Sequence, residues 1–489
     1  MKYLHFEKKR KDLYKLAAIY SLMVTIIVII VALIVVFLLG FRFDTSKGNI
    51  EQYAFLQFSS TPSGAVVTID GKAVSSKTPN KDSVPAGKHD IVMWRDGYET
   101  WKKTVELKSG TLNWLNYALL VPKKLTVEAV AKYTSVSSSL ASSEGRSMII
   151  LENLSLPTFS LIDLSSDIIK STSLTIPATA YSEAFTTGVV HTFQIDKWDD
   201  GGRYLTIKHI YGDKIEWLVL DTQDVASTKN ITQTLNIVAS KIVFSGTSGN
   251  LFFALDSSGD IRKLDLAAGN LSRPFVNGVT DFNVYETNII TYNKVGIVGK
   301  QTVGLYRDGD EKSYDLRSID ANKGTQLKIA TVRYFNEDYV AISDGKVVDI
   351  LSGSYPNTAN GDAASLKVVL SFSTSQDVQN LSFSPSGEYV FIQSGAFFAS
   401  YDLEYKVLKS STIQGKGVTP TFKWLNDNYV WSDLDDNLTI REFDGENIHL
   451  ISPVIIGQSV TLTHNGRYIY SINKSSTGYQ LQRVRIILP

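Results

Sequence analysis

The chain has 489 residues, with 49 basic and 49 acidic side chains and a mean hydropathy of -0.02. Six of the basic residues precede residue 16, so the remainder carries 43 basic and 47 acidic residues, which excludes the basic footprint of a nucleic-acid-binding protein. The absence of cysteine excludes disulfides and thiolate metal sites.

The N-terminus combines a basic segment, residues 1–15, with a charge-free apolar run, residues 16–41. As a helix, this run would be about 39 Å long, which exceeds the roughly 30 Å of a bilayer's hydrocarbon core. It has about twice the apolar length of a signal peptide, and no small-x-small pattern follows it. We therefore predict a retained transmembrane helix in contact with the lipid bilayer; a cleaved signal peptide is the alternative.

The charges beside the apolar run predict its orientation. Lysine and arginine dominate the first 15 residues, whereas Arg42 and Lys47 on the other side are mixed with Asp44 and Glu51. The positive-inside rule then places the N-terminus in the cytoplasm and the C-terminal domains outside a plasma membrane that the chain crosses once. Residues 42–52 are predicted to be a juxtamembrane linker.

Residues 53–122 read as a small β domain, because short strands alternate with strong turn signals. Asp70-Gly71 after an apolar strand predicts a type I′ hairpin. The segment resembles the PEGA domain, and this resemblance implies a small β-sandwich in a cell-surface context. The matching positions are Ser60 to Ala65, with Ser63 where the family usually has Glu, Asp70-Gly71, Thr78-Pro79, Pro85-x-Gly87 and Gly97-Tyr98.

Residues 123–489 contain a repeated pattern of a strand, a tight polar turn and an apolar strand. The clearest copy is Leu381–Ile392, and six copies place one residue just before the second strand: Ser147, Tyr204, Tyr339, Tyr389, Tyr429 and Tyr468. The widest interval predicts two weaker copies, 241–254 and 282–291. A period of about 40–50 residues built from strands predicts a β-propeller.

The Phe383-Ser-Pro-Ser-Gly-Glu-Tyr389 stretch resembles the TolB-like and WD-like propeller repeats, with Ser386 where Asp is usual. We predict an all-β ectodomain comprising the small sandwich and eight propeller blades; seven blades is the alternative. The last copy supplies three strands. We therefore expect the strand at 124–130 to complete the final blade.

Signatures of chemistry are sparse. The sequence has no nucleophile elbow, zinc-protease motif or phosphate-binding loop, and its six histidines are scattered. No cofactor or catalytic residue is predicted. Asp433, Asp435 and Asn437 resemble a calcium loop in spacing, although Arg441 stands where a closing carboxylate would come. Propellers bind ligands through loops between second and third strands, which makes Asp213, Asp256, Asp260, Asp344 and Asp433 binding-loop candidates.

Three functions fit this organisation. The leading hypothesis is a non-enzymatic, membrane-anchored protein of the cell envelope, whose propeller binds an unidentified protein or an envelope glycan, without nucleic acid. The second is a propeller hydrolase or lyase acting on glycans, and the third is an accessory subunit of a membrane complex. A funnel lined by close carboxylates or histidines with shifted pKa values would favour the enzyme.

Overall fold

A computed structural model of the chain describes residues 2–38, 41–44, 49–182, 188–296, 299–320, 324–358, 365–413 and 421–489. The chain divides into two compact units, Met1–Lys124 and Leu125–Pro489.

The first unit begins with one long helix, α1 (Lys2–Leu38), which includes the basic segment as well as most of the apolar run. Its Tyr14–Val36 portion is long and apolar enough to cross a membrane, and none of its most apolar stretch is buried against the rest of the protein. The predicted span, 16–41, is too long at its C-terminal end because Phe41 already belongs to a strand. Apolar composition alone does not distinguish the end of the helix from the start of the strand. Phe41 and Phe43 continue the hydrophobic pattern, but their backbone pairs with another strand.

Eight strands form two four-stranded sheets in the rest of this unit. One sheet contains β1 (Phe41–Asp44), β2 (Asn49–Thr61), β5 (Asn80–Pro85) and β8 (Leu112–Leu119); the other contains β3 (Val66–Ile69), β4 (Lys72–Ala73), β6 (Gly87–Trp94) and β7 (Trp101–Leu107). The predicted linker, 42–52, is therefore not simply a linker, since β1 pairs with the start of β2 inside it. Alternate residues of β2, namely Ala54, Leu56 and Phe58, are fully buried.

The predicted hairpin turn joins β3 to β4. Asp70 and Gly71 have φ values of 49° and 77°, the two positive values that a type I′ turn requires. Asp70 also accepts hydrogen bonds from the backbone N–H of Asp90 (2.9 Å) and lies 2.7 Å from His89 Nδ1. The turn residue thus links the hairpin to the neighbouring strand β6.

The described residues of the second unit form eight four-stranded antiparallel sheets, numbered here from 1 to 8 along the chain. Sheets 1 to 4 contain β10 (Ser138–Ala141), β11 (Ser147–Leu151), β12 (Thr158–Asp163) and β13 (Lys170–Thr175); β14 (His191–Trp198), β15 (Tyr204–Tyr211), β16 (Lys214–Asp221) and β17 (Lys229–Asn230); β18 (Ala239–Phe244), β19 (Leu251–Asp256), β20 (Ile261–Asp265) and β21 (Asn270–Leu271); and β22 (Val279–Tyr285), β23 (Ile289–Val295), β24 (Lys300–Arg307) and β25 (Tyr314–Asp320).

Sheets 5 to 8 follow the same order. They contain β26 (Leu327–Tyr334), β27 (Glu337–Asp344), β28 (Val347–Gly353) and β29 (Lys367–Ser373); β30 (Asn380–Phe383), β31 (Tyr389–Ser394), β32 (Phe397–Asp402) and β33 (Val407–Thr412); β34 (Lys423–Trp424), β35 (Tyr429–Ser432), β36 (Asn437–Glu442) and β37 (His449–Pro453); and β38 (Thr461–Leu462), β39 (Tyr468–Ser475) and β40 (Gly478–Arg485), completed by β9 (Val127–Tyr133). A short helix, α2 (Ile231–Leu235), follows β17. The two weak copies predicted at 241–254 and 282–291 are confirmed as the first hairpins of sheets 3 and 4.

The first strand of the second unit closes the ring. β9 pairs antiparallel with β40, from Val127 opposite Val484 to Tyr133 opposite Tyr479. The predicted closing strand is confirmed, although it lies three residues later than expected. Sheet 8 also contacts sheet 1, because Ser459 N donates to Ser139 Oγ (2.9 Å) and Ser459 Oγ accepts from Ala141 N (3.0 Å).

Apolar side chains between neighbouring sheets form the core. The cluster between sheets 8 and 1 includes Met148, Ile150, Tyr470 and Leu481, each fully buried. Similar clusters join consecutive sheets from 1 to 7. Between sheets 7 and 8, Gln482 Nε2 donates to the carbonyl oxygen of Pro453 (2.6 Å). Packing between neighbouring sheets thus explains how the ring is held together without disulfides. A closed ring of four-stranded sheets is a β-propeller.

Candidate functional site

The five candidate aspartates lie at four loops, each of which joins the second and third strands of a sheet. These loops follow β15, β19, β27 and β35. Because every sheet repeats the same strand order, such loops open at one end of the ring. The described contacts bring Asp256 and Asp260 together, since Asp260 N donates to Asp256 Oδ1 (3.0 Å). They include no contact between candidate aspartates of different sheets.

Several candidate aspartates are occupied by local contacts. Asp256 is buried; burial alone would raise its pKa, but hydrogen bonds from Arg262 and Ser258 outweigh burial and lower it. Asp260 accepts from Asn277 Nδ2 (2.6 Å). Asp213 is exposed and Asp344 is half-buried. The candidates thus remain separate side chains on one end of the ring, and their role in binding stays a prediction.

The calcium-loop candidates also make contacts within the protein. Asp433 Oδ2 accepts from Gly457 N (2.8 Å), and Asn437 Nδ2 donates to the carbonyl oxygen of Asp435 (2.8 Å). Asp435 itself is exposed. The side-chain amide of Asn437 therefore turns its nitrogen toward Asp435, and an amide nitrogen does not bind Ca²⁺. These contacts do not assemble three oxygens around one point.

A different acidic group lies at the other end of β36. One oxygen each from Glu442, Asp444 and Glu446 lies within 4.8 Å of the others, the geometry that a cation site needs. Glu442 Oε1 already accepts from Tyr429 Oη (2.9 Å) and Asn447 Nδ2 (3.1 Å). The alternation of acidic residues around a glycine was the sequence signal for this group, and our sequence reasoning missed it.

Two histidines and a glutamate meet inside sheet 2. His191 Nδ1 lies 3.0 Å from His209 Nε2, and His209 Nδ1 lies 3.1 Å from Glu216 Oε2. The three side chains are 0–2% exposed. The sequence prediction treated these histidines as scattered, but they stand on adjacent strands: His209 pairs with Glu216, and His191 is diagonal to His209. Only strand register brings them together.

The carboxylate of Glu216 holds this cluster. Burial alone would raise the pKa of Glu216, but hydrogen bonds from His209, Ser182 and Gln233 outweigh burial and lower the pKa to about 2. Ser182 N donates to Oε2 (2.9 Å) and Gln233 Nε2 to Oε1 (3.1 Å). These donors keep Glu216 charged at neutral pH. Because the cluster is closed to solvent, we assign it a structural role.

Two carboxylates with raised pKa values, Glu388 and Asp402, lie on sheet 6. Burial, reinforced by the negative charges of Asp402 and Glu404, raises the pKa of Glu388 to about 7. Burial likewise raises the pKa of Asp402 to about 6, although its oxygen accepts from the backbone N–H of Glu404 and Tyr405. Both residues lie at the opposite end of the sheet from the second-to-third strand loops.

A cavity of about 550 Å³ lies where sheets 4, 5 and 6 approach one another. Its walls include the end of β23, the start of β24 and the first residues of β26 and β30. These positions flank the second-to-third strand loop of sheet 4, so the cavity opens at the predicted binding end. The candidate aspartates do not line it, although their loops lie at the same end of the ring.

The cavity wall is polar and rich in carboxamides. Six line it, together with three threonine hydroxyls: Asn283, Asn293, Gln301, Gln326, Gln379 and Asn380, with Thr280, Thr291 and Thr302. Three of the amides contact the backbone of the next sheet: Asn293 Nδ2 donates to Leu327 O (3.0 Å), Asn380 Nδ2 donates to Phe422 O (3.0 Å), and Gln301 Oε1 accepts from Leu327 N (3.4 Å).

Charges at the cavity are mostly neutralised within the protein. Asp281 pairs with Lys241 (2.8 Å) and Lys294 with Asp315 (2.7 Å). Lys328 is the remaining charged side chain of the lining, and it forms no ion pair among the described residues. The cavity therefore presents neutral donors and acceptors rather than a strong field.

The family comparison concerns the first unit. Residues 55–121 match the PEGA domain. The match falls within the predicted 53–122 segment and covers the β2-to-β8 sandwich. The helix α1, the strand β1 and the ring lie outside the match. No curated protein matches the chain.

Several solved structures are similar to this chain over about three quarters of its length or slightly less. One is the β-propeller domain of Cps50 (Swd1) from Myceliophthora thermophila, at 11% identity and a TM-score of 0.39, covering 75% of this chain and all of that one. Another is dipeptidyl peptidase 4 of Porphyromonas gingivalis, at 13% identity and a TM-score of 0.46, covering 71% of this chain and 57% of that one. An oligogalacturonate lyase in complex with manganese has 10% identity and a TM-score of 0.41, covering 73% and 98%. Such distant likeness carries no statement about activity.

Proposed function

We propose that this chain is a membrane-anchored, extracytoplasmic binding protein whose propeller holds a neutral, hydroxyl-rich ligand, an envelope glycan, in the cavity between sheets 4, 5 and 6. The carboxamide-rich lining carries the proposal. A sugar hydroxyl both donates and accepts, and each carboxamide offers two donors and an acceptor within one rigid group. The cavity volume of about 550 Å³ lies within the usual range for small-ligand sites.

The lining favours binding over catalysis. Glycan hydrolysis requires two carboxyl groups flanking one bond. Asp281 is the one carboxylate of the cavity lining, and Lys241 neutralises it at 2.8 Å. The carboxylates with raised pKa values, Glu388 and Asp402, lie outside the lining. A non-enzymatic role is therefore the function that the described residues support best.

The membrane anchor and its orientation belong to the same proposal. The basic residues of α1 all lie in its N-terminal part, between Lys2 and Lys15, and by the positive-inside rule this supports an orientation with the ring outside the cytoplasm. Protease added to intact cells or spheroplasts should then digest the ring. Protection of the ring until the membrane is lysed would contradict the orientation, and release of the protein by alkaline extraction would contradict the anchor.

Binding can be tested with the full-length protein in detergent micelles. Neutral oligosaccharides of the host envelope would be titrated by calorimetry against the wild type and against Asn283→Ala and Gln326→Ala, two exposed lining residues. Each variant should weaken binding about 5–50-fold, because it removes a polar partner. Gln223→Ala, an exposed amide outside the lining, serves as the control. Binding that is absent, or unaffected by both cavity variants, would contradict the proposal.

A further inference from the structure

Arg441 is a buried cation without a carboxylate partner. Its side chain lies between sheets 6 and 7, with the residue 8% exposed and Cζ 5.0 Å from the ring centroid of Phe422 and 6.0 Å from that of Phe398. Its Nε has no hydrogen-bond partner, and it forms no ion pair with any described residue. Seven other arginines do pair with acidic side chains: Arg146, Arg203, Arg262, Arg317, Arg333, Arg467 and Arg483.

The surroundings of Arg441 leave its charge only partly compensated. Removing a guanidinium from water is costly, and two aromatic faces recover part of that cost. Burial accordingly lowers the pKa of Arg441. The neighbouring Glu442 is paired in the ladder with Tyr429, so it points to the opposite face of the sheet and accepts from the Tyr429 hydroxyl (2.9 Å). Residues 414–420, which precede Phe422 in the chain, contain no acidic residue.

A second unsatisfied donor faces the same interface. Ser400 is 1% exposed, and its Oγ has no hydrogen-bond partner among the described residues. It lies opposite Phe391 in the β31–β32 ladder and two residues after Phe398, so the three side chains share one face of sheet 6. Phe391 and Phe398 pack there with Phe422 and Val430 of sheet 7. Arg441 is opposite Val430 in the next sheet and shares that packed interface.

We propose that a small oxyanion, a carboxylate or phosphate group, binds between sheets 6 and 7 and is held by the guanidinium of Arg441 and the hydroxyl of Ser400. The planar guanidinium can donate to two oxygens of such a group at once. The serine hydroxyl then donates to one of these two oxygens or, in a phosphate, to a third. The rings of Phe398 and Phe422 flank the guanidinium and shield the interaction from water. This site is separate from the cavity between sheets 4, 5 and 6.

The test uses thermal unfolding of the full-length protein in detergent at constant ionic strength. Sodium phosphate or sodium acetate replaces sodium chloride in steps. A bound anion should raise the wild-type Tm saturably, by about 2–4 °C at high occupancy. Arg441→Met should lose this dependence. Arg95→Gln, in the PEGA domain, should keep it.

Two further measurements separate binding from folding. Arg441→Lys keeps the positive charge but lacks the planar fork, and Ser400→Ala removes the hydroxyl; each should weaken acetate or phosphate binding at least 5-fold in calorimetry while the protein remains folded. A wild-type Tm that responds to phosphate and acetate no differently from chloride would overturn the proposal. So would an equal response in Arg441→Met, or unchanged calorimetric affinity in both conservative variants.

Discussion

His209 Nδ1 lies 3.1 Å from Glu216 Oε2, on side chains that face each other across β15 and β16 and are almost fully buried. The carboxylate also receives hydrogen bonds from Ser182 and Gln233, so it ties the loop before β14 and the helix α2 to the centre of sheet 2. A buried charge held by this many donors is expected to stabilise the ring only while all of them remain.

Glu216→Gln should therefore destabilise the ring by about 1–3 kcal/mol, because it replaces a charged acceptor with a neutral group that leaves buried donors poorly satisfied. Urea unfolding followed by tryptophan fluorescence measures the effect. Glu311→Gln, at an exposed position, is the matched control and should be nearly neutral. Equal stabilities of the two variants would contradict the role assigned to Glu216.

The same carboxylate predicts a pH dependence. The pKa of Glu216 is about 2 in the folded protein and near its ordinary value of 4.5 when unfolded. Its contribution to stability is therefore complete above about pH 4.5 and is lost as the pH falls toward 2. In acid titrations of the free energy of unfolding, the wild type should lose stability more steeply over this window than Glu216→Gln. Parallel curves for the two proteins would show that the hydrogen-bond partners of Glu216 do not lower its pKa.

Glu388 predicts the opposite dependence. Its pKa is raised to about 7 when folded, so the folded state keeps a proton that the unfolded state releases near 4.5. Stability should then fall as the pH rises from about 4.5 to 7. Glu388→Gln should have a higher Tm than the wild type at pH 8 and a similar one at pH 4.5, with Glu311→Gln unchanged at both. A gain of equal size at the two pH values would contradict the assignment.

Arg483 of β40 links the closing strand β9 to the rest of sheet 8 and to sheet 1. Its Nε donates to Glu128 of β9 (2.7 Å), its Nη1 to the carbonyl oxygen of Asp167 (2.8 Å), and its Cζ lies 4.5 Å from the ring centroid of Tyr468. Arg483→Met should lower the free energy of unfolding by about 1–3 kcal/mol. Arg467→Met removes an exposed pair with Asp167 and should cost less than about 1 kcal/mol. The reverse order in urea unfolding would contradict this account of closure.

Gly304 lies where no side chain fits. A Cβ there would meet the carbonyl oxygen of Tyr314 and the phenol of Tyr292, whose hydroxyl donates to Asp315 (2.7 Å). Gly304→Ala should destabilise the ring by about 1–3 kcal/mol through overpacking. Gly296→Ala is the control, since the nearest atom to a Cβ there is 3.7 Å away. Comparable thermal stabilities of the two variants would contradict the close approach.

Much of the architecture was predictable because it rests on local patterns. Asp70-Gly71 predicts its turn since few residues accept positive φ at two consecutive positions, and the observed angles match. Even the weak copy at 241–254 was recoverable from its spacing to stronger copies. The end of α1 and the strands within 42–52 could not be predicted from the sequence. The reason is that the apolar pattern continues from helix to strand through Phe41 and Phe43.

The polar sites show the limit of such patterns. His191, His209 and Glu216 are separated along the chain and gain their proximity from the register of three strands. The carboxamides of the cavity come from sheets 4, 5 and 6, and Arg441 and Ser400 share the interface between sheets 6 and 7 through packing of those two sheets. The apolar N-terminal helix, the PEGA domain and the repeating sheets follow from local sequence patterns, since each depends on near neighbours in the chain. Which polar side chains meet follows from the folded ring instead, because those contacts depend on strand register and on which sheets become neighbours when the ring closes.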